Sequence, residues 1–257
     1  MNYTILKAKK ELNAKGWTII KNFLTKKQAI MYKKSIFKYL NKNHLKFQGR
    51  QINYVGGSKK FEDIHSFHKL ESYKKVKNFF YKGKIYNYAF QLLDNSIPEL
   101  RASELFKKPK KSGLKAAPHQ DDFYWNVKDN KGITFWIALD RANKKNGTMY
   151  YYTSSHKLGL VQHEASFGKG TSQTVKNKKL FKKFKKDYLD LDIGDVAIHT
   201  SLAIHGSEKN SSSQNRAGWT FAVKPKHSPY DKKRTKKFVK SLTKQIRLRE
   251  KKCQDLK

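Results

Sequence analysis

The sequence predicts an α+β fold, helical at the front and built of strands behind, and three observations carry that prediction. Before residue 98, apolar residues recur at helical spacing. From Leu100 onward, short runs of β-branched and aromatic residues alternate with Gly, Asn and Asp turns. After Pro225 and Pro229 a basic stretch, about Lys232 to Lys252, carries Phe238, Leu242 and Ile246 at four-residue spacing, the stripe of a helix that docks on the domain or on a second copy.

Taken in order, residues 4 to 15 read as a helix. Thr25-Lys26-Lys27-Gln28 is a capping box, because a Thr hydroxyl can accept from the amide three residues on while the Gln side chain returns the bond. It opens a helix to about Leu40 that offers Ile30, Met31, Ile36 and Leu40 to a core. Phe61 to Leu93 holds two further helical stretches parted near Gly83. Pro118 marks a strand start, and Phe123, Tyr124, Trp125 and Val127 favour its continuation. Asn146-Gly147 is a hairpin signal before Thr148 to Tyr152. Lys176 to Lys186, with Phe181 and Phe184, reads as an amphipathic basic helix or loop between strands. Val196, Ile198, Leu202 and Ile204 surround His199 and His205 in one strand-like segment after the Gly194-Asp195 turn, and Arg216 opens the next strand, Ala217 to Val223. Together these elements predict a double-stranded β-helix, a jelly-roll or cupin-like barrel, buttressed by N-terminal helices and followed by a C-terminal helix. The expected organisation is one domain over 1–257, with 1–98 a mainly helical buttress, 99–225 the barrel core and 226–257 the basic terminal helix.

Composition narrows the classes of function. No apolar run approaches the ~20 residues of a membrane helix, and the single cysteine, Cys253, excludes an intramolecular disulfide. A cytoplasmic protein without a membrane partner is expected, as monomer or homodimer. The formal charge of +37 invites a nucleic-acid reading. Yet of 57 basic residues only seven are Arg, and Lys is spread over the whole chain, which looks like usage bias rather than a footprint; no specific nucleic-acid partner is expected.

The chemistry is carried by His119-Gln120-Asp121, with His205 and Arg216 farther along. An imidazole and a carboxylate two positions apart, joined by a distant second imidazole, form the ligand set of a facial-triad Fe(II) site. On a strand, residues i and i+2 share a face, so His119 and Asp121 can aim at one point while Gln120 turns away. Two ligand-bearing strands meeting across the interior of a barrel are the simplest geometry for this spacing. Such sites commonly hold 2-oxoglutarate, whose far carboxylate needs a fixed, always-charged partner, the role open to Arg216. His199 reads as an ordinary half-buried imidazole bonded to backbone. His65 and His68, near Glu62 and Asp63, stand at helical i, i+3 spacing, with nothing else in favour of a second metal site.

These blocks resemble the phytanoyl-CoA dioxygenase family. The resemblance runs through Pro118-His119-Gln120-Asp121-Asp122-Phe123-Tyr124-Trp125, Thr134 to Asp140, Asn146-Gly147, Ser155-His156-Lys157, Gly159-Leu160, Gly194-Asp195, His205-Gly206-Ser207 and Asn215-Arg216, over about residues 104 to 224. Gly16 to Leu24 is similar to the segment that opens many members. One departure is Thr153-Ser154-Ser155-His156, where the family has Pro-Gly-Ser-His. The resemblance implies iron ligation by His119, Asp121 and His205. It also implies that Arg216 binds the 2-oxoglutarate tail with Ser207 assisting, and that Lys108 and Trp136 are further cosubstrate contacts, although five lysines lie between 107 and 115. Phe123, Tyr124 and Trp125 are candidate substrate contacts.

The expected activity is that of an Fe(II)- and 2-oxoglutarate-dependent dioxygenase which uses O2 to hydroxylate a C–H bond of a small metabolite, releasing succinate and CO2. Related halogenases lack the carboxylate ligand, so Asp121 argues for hydroxylation. Two alternatives come from other classes: a catalytically silent 2-oxoglutarate-binding barrel, and a basic nucleic-acid-acting protein. For the latter, oxidative base demethylases carry a second Arg six residues beyond the first, where this chain has Ala222.

Overall fold

The computed structural model describes residues 3–254 apart from positions 57, 112, 113 and 169; of Tyr3 and of 249–254, Cys253 included, it describes the backbone alone. In chain order the elements are α1 (Tyr3–Lys15), β1 (Trp17–Ile20), α2 (Lys26–Asn43), β2 (Ile52–Tyr54), β3 (Ile64–Phe67), α3 (Lys74–Tyr81), α4 (Lys84–Leu92), β4 (Pro98–Lys108), β5 (Ala116–His119), α5 (Asp122–Trp125), β6 (Ile133–Ala138), β7 (Met149–Tyr152), β8 (His163–Ala165), β9 (Gln173–Val175), β10 (Lys186–Tyr188), β11 (Val196–Thr200), β12 (His205–Ser207), β13 (Arg216–Pro225) and α6 (Lys232–Gln254). A seven-stranded major sheet runs β1-β11-β6-β13-β4-β3-β2 and faces a four-stranded minor sheet, β10-β7-β12-β5; β8 and β9 form a separate hairpin. Every pairing is antiparallel. This is the expected α+β double-stranded β-helix.

Alternation along the major sheet sorts its side chains. Ile133, Phe135 and Ile137 of β6, Val196 and Ile198 of β11, and Trp219, Phe221 and Val223 of β13 point outward into the main core. There they meet Ile36 and Leu40 of α2, Val76 and Phe80 of α3, and Ile85 and Ala89 of α4. Fully burying each such side chain contributes roughly 1.5–3 kcal/mol. The other face of the sheet looks into the barrel. Three rows cross it: His199, Thr134, Ala222 and Ala102; Ala197, Trp136, Thr220 and Glu104; and Ala138, Gly218 and Phe106, with Arg216 and Lys108 paired beyond. Mostly small residues leave room in the middle of that face.

The Thr25 capping box is present, with both of its bonds made. Met31, expected to face the core, is instead exposed, because α2 turns Ala29, Ile36 and Leu40 inward. Asn146-Gly147 does form a turn, with Gly147 left-handed at φ 76°, but it joins no hairpin. It carries the chain from β6 in the major sheet to β7 in the minor one, whose partners are β10 and β12. Likewise the stretch 196–205 is two strands in different sheets, not one. His65 and His68 lie on or beside strand β3 rather than a helix, and His68 bonds Glu104 instead of joining His65. Ser154, standing where the resembled motif has Gly, adopts the left-handed conformation (φ 70°) that glycine takes without strain. Its hydroxyl donates to the Ala14 carbonyl and its amide to that of Lys15, which holds the turn in place.

Helix α6 docks through a half-buried stripe including Phe238, Leu242 and Ile246, as expected. Among the described residues no helix is long and apolar enough to cross a membrane. The first turn of α6 is locked to the barrel by Arg234. Its Nη2 donates to the Asp122 carboxylate and carbonyl, both at 2.9 Å, and Nη1 to the Val127 carbonyl at 3.2 Å. The Asp122 side chain is fully buried, so removing its cation strands a charge in the interior. Replacing Arg234 with Met should therefore lower stability by roughly 3 kcal/mol, measurable by urea denaturation, whereas Arg234→Met combined with Asp122→Asn should recover part of the loss. Equal losses in the two proteins would show that the ion pair is not what holds the helix.

Candidate metal centre

His119 ends β5 and His205 begins β12, and the antiparallel register places them directly opposite each other, ring centroids 4.3 Å apart. They are neighbours in the minor sheet, so the expectation of strands meeting across the barrel is corrected. The expected strand also stops at His119. The carbonyls of Gln120, Asp121 and Asp122 accept from the amides of Phe123, Trp125 and Asn126, which winds one helical turn, closed by Asn126 in the left-handed conformation. Strand propensity in Phe123-Tyr124-Trp125 yields here to packing, because the turn drops Trp125 onto Ala102, Val127 and Ala222. Asp121 thus reaches the histidines from the start of a helical turn rather than from a pleat. Gln120 is not idle either. Fully buried, it donates to the Gly159 and Leu202 carbonyls and accepts from the Val161 amide, fixing the segment between His119 and Asp121.

His119, Asp121 and His205 each present one ligand atom, all within 4.8 Å of one another. Asp121 Oδ1 lies 3.8 Å from His119 Nε2 and 3.6 Å from His205 Nε2. The tautomers suit a cation. His119 Nδ1 donates to the Ala117 carbonyl at 2.7 Å and His205 Nδ1 to the Ala203 carbonyl at 3.0 Å. Each Nε2 therefore carries a bare lone pair aimed at the common point, the arrangement that orients metal-binding imidazoles. Burial, and then the neighbouring His205, pushes His119 down to about 4; burial and His199 do the same to His205. For Asp121 burial alone would raise the pKa, but His205, His199 and His119 together hold it well below the ordinary carboxylate range. Two neutral imidazoles and a carboxylate at pH 7 form a hard-to-borderline N2O donor set that fits Fe(II).

A second pocket lies on the inner face of the major sheet. Arg216 is buried and pairs in register with Lys108. Its Nη2 donates to the Gly147 carbonyl, its Nε has no partner among the described residues, and its guanidinium stands 5.2 Å from the Trp136 ring. The indole can lie there because residue 218 is glycine, where a Cβ would fall 1.9 Å from the ring. Strand alternation settles which lysine turns inward. Lys108 does, donating to the Glu208 carbonyl, whereas Lys107 turns out to the Phe61 and Glu62 carbonyls. Among the described residues neither Arg216 nor Lys108 has a carboxylate within ion-pair distance. Burial pulls Arg216 down to about 9, and burial with Arg216 beside it pulls Lys108 down to about 6. Thr148 Oγ1 and His65 Nδ1 are also buried without partners among the described residues. One buried guanidinium with free donor capacity, beside an amine that a bound anion would favour in its charged form, suits a carboxylate. Ser207, two residues beyond His205, is buried at the end of β12.

Of the three aromatic candidates, Tyr124 borders the centre, its ring edge-on to His119 at 5.6 Å. Phe123 stacks on His163 at 4.3 Å, and Trp125 is a packing residue. Phe238 of α6 meets both Tyr124 and Phe123. Sequence reasoning missed four participants. Thr134 and His199 bond Asp121; their signal was the alternation in Val196-Ala197-Ile198-His199, which sends His199 to the side opposite the large aliphatics. Glu104 and His68 form a pair (2.5 Å) on the inner face, His68 being held also by Ser66 and Asn53.

The metal-free protein should show the imidazole shifts in its acid stability. Free histidine titrates near 6.5, so between about 6.5 and 4 the unfolded chain binds more protons than the folded one, and stability falls as pH is lowered through that window. Melting temperature followed from pH 7 to 4 should drop less steeply in a His119→Gln, His205→Gln double variant. A parallel decline would mean that these two rings titrate normally.

Comparison with known proteins places these features in context. The family model for phytanoyl-CoA dioxygenase (PhyH) matches residues 12–218. The chain is 28% identical over 162 residues to a phytanoyl-CoA dioxygenase of Arabidopsis thaliana, covering 62% of this chain and 55% of the relative. It is 27% identical over 166 residues to the phytanoyl-CoA dioxygenase domain-containing protein 1 of Danio rerio, covering 61% and 55%. The match thus spans little more than half the length of either relative. Among solved structures, EctD from S. alaskensis with 2-oxoglutarate and 5-hydroxyectoine superposes with a TM-score of 0.71 at 16% identity, covering 88% of this chain and 77% of that one. The epimerase SnoN from nogalamycin biosynthesis, in complex with Fe3+, alpha ketoglutarate and nogalamycin RO, gives 0.70 at 15%, covering 88% and 86%. The carbocyclase SnoK gives 0.70 at 16%, covering 87% and 85%. These likenesses establish a shared fold.

Proposed function

This chain belongs to the phytanoyl-CoA dioxygenase family, and from that premise we propose that it is an Fe(II)- and 2-oxoglutarate-dependent oxygenase hydroxylating a C–H bond of a small molecule. The observation that carries the reading is the convergence of His119, Asp121 and His205 on one point, with both outer imidazole nitrogens tied to backbone carbonyls. These three residues would hold the metal. Arg216, with Trp136 beside it, and Lys108 would take the far carboxylate of the cosubstrate, with Ser207 at the end of β12 assisting. Bound there, Fe(II), 2-oxoglutarate and O2 supply the oxidising power for attack on a C–H bond, with release of succinate and CO2.

The chain's own residues supply orientation and dryness. Trp136 backs the Arg216 guanidinium and limits its motion. Tyr124, covered by Phe238, walls one side of the centre against water. Glu104, with His68 behind it, stands on the same inner face, level with Thr220 and Trp136 and one row along the strands from Thr134. We place the polar end of the substrate against Glu104 and its reacting carbon near Tyr124. The whole chain acts as one catalytic unit in this reading, because the N-terminal helices share a core with the major sheet and α6 borders the site.

Anaerobic addition of Fe(II) and then 2-oxoglutarate should produce the visible charge-transfer band of a chelated pair, and His205→Ala should lack it while keeping the fold by circular dichroism. Arg216→Met should still bind metal but need about 100-fold more 2-oxoglutarate to develop the band, since a bidentate ionic contact is worth roughly 3 kcal/mol. No band in the parent protein would overturn both cofactor assignments.

A further inference from the structure

Asp121 makes two kinds of contact, one with each oxygen. Oδ1 is the atom nearest the Nε2 atoms of His119 and His205. Oδ2 is engaged elsewhere: Thr134 Oγ1 donates to it at 2.6 Å and His199 Nε2 lies 3.1 Å from it. A carboxylate only accepts, so His199 must carry its proton on Nε2. Its Nδ1 then accepts, and the Tyr151 hydroxyl donates to it at 2.8 Å. Tyr151 and His199 are both buried. Tyr151 is itself clamped by Trp17, stacked at 5.3 Å with an 11° interplanar angle, and the Trp17 indole donates to Thr153 Oγ1. The links sit on four different strands, since Trp17 is on β1, His199 on β11, Thr134 on β6 and Tyr151 on β7 of the opposite sheet.

We infer that His199 is a positioning residue for the metal site: with Thr134 it saturates Oδ2 of Asp121, so that the carboxylate offers a cation Oδ1 alone. The inference rests on the metal-binding reading above. Its chemical consequence is denticity. Without the two donors the carboxylate is free to rotate and to present both oxygens, which uses one more coordination position and leaves one fewer for a chelating cosubstrate. Tyr151 serves the same end at one remove, by fixing the tautomer that lets His199 donate. Helix α5 alone cannot do this, because none of its amides donates to the Asp121 side chain among the described contacts.

Co(II) is a suitable probe, bound anaerobically and followed by calorimetry and by its visible ligand-field spectrum. The parent chain, His199→Leu, His199→Gln and Tyr151→Phe are compared. His199→Leu should bind Co(II) 10- to 100-fold more weakly, the usual scale for losing a group behind a ligand, with an altered ligand-field spectrum. His199→Gln, which keeps an N–H donor at that reach, should recover most of the affinity and the parent spectrum. Affinity and spectrum unchanged in His199→Leu, or no recovery in His199→Gln, would overturn the inference. Should His199→Leu fail to fold, Tyr151→Phe decides: weakened binding supports the relay, and parental binding overturns it. If the parent itself binds no Co(II), the metal-binding reading has failed instead, which is a separate result.

Discussion

The structure depends on one pairing, the antiparallel register that sets His205 opposite His119 at the edge of the minor sheet. Cross-strand partners in a sheet stand about 5 Å apart, close enough for the two rings to reach one point. No loop has to be folded into position for these two side chains, and their backbones are held by the ladder itself. The third member of the triad is the adjustable one. Asp121 leaves the strand at a helical turn, and its orientation is imposed from outside by Gln120 behind it, Asp122 and Arg234 beneath it, and Thr134 and His199 across the barrel.

The major sheet divides its labour by face. Outward, large aliphatic and aromatic residues bind the helices into a core; inward, small and polar residues leave space and donors. A period-2 sequence accomplishes both at once. In β13 the consequence is sharp, since Trp219 and Phe221 fill the core while Arg216, Gly218 and Thr220 face the site. The buried guanidinium is tolerable because Gly147 accepts from it and the Trp136 face lies alongside, a less hydrated setting that suits Arg better than Lys.

Much of this was legible in the string. The capping box at Thr25, the helices α1 to α4 ahead of most strands and the convergence of His119, Asp121 and His205 follow from local chemistry and spacing, whereas the short strands β1, β2 and β3 lie inside the part expected to be helical and add to the major sheet. What was not legible depended on which sheet a strand joins. Residues 196–205 carry one continuous apolar pattern, but a turn at Ser201 to Ile204 splits it between sheets, and no propensity marks that crossing. Phe123-Tyr124-Trp125 have strand propensity and sit in a helical turn, because the pocket for Trp125 lies below them. His199 was read as structural, since the identity of its partner was set by a residue 78 positions away. Among the lysines between 107 and 115, only the register of β4 against β13 distinguishes Lys108 from Lys107.

The Arg234 lock has a consequence for the order of assembly. Translation delivers β5, β12 and the turn bearing Asp122 before it delivers Arg234, and domains consolidate as they are made. Until the terminal helix arrives and docks, the growing chain must keep a carboxylate in the barrel wall unmatched or protonated. The turn that carries Asp121 is therefore completed by a residue more than a hundred positions downstream, and the last helix made is the one that seats it.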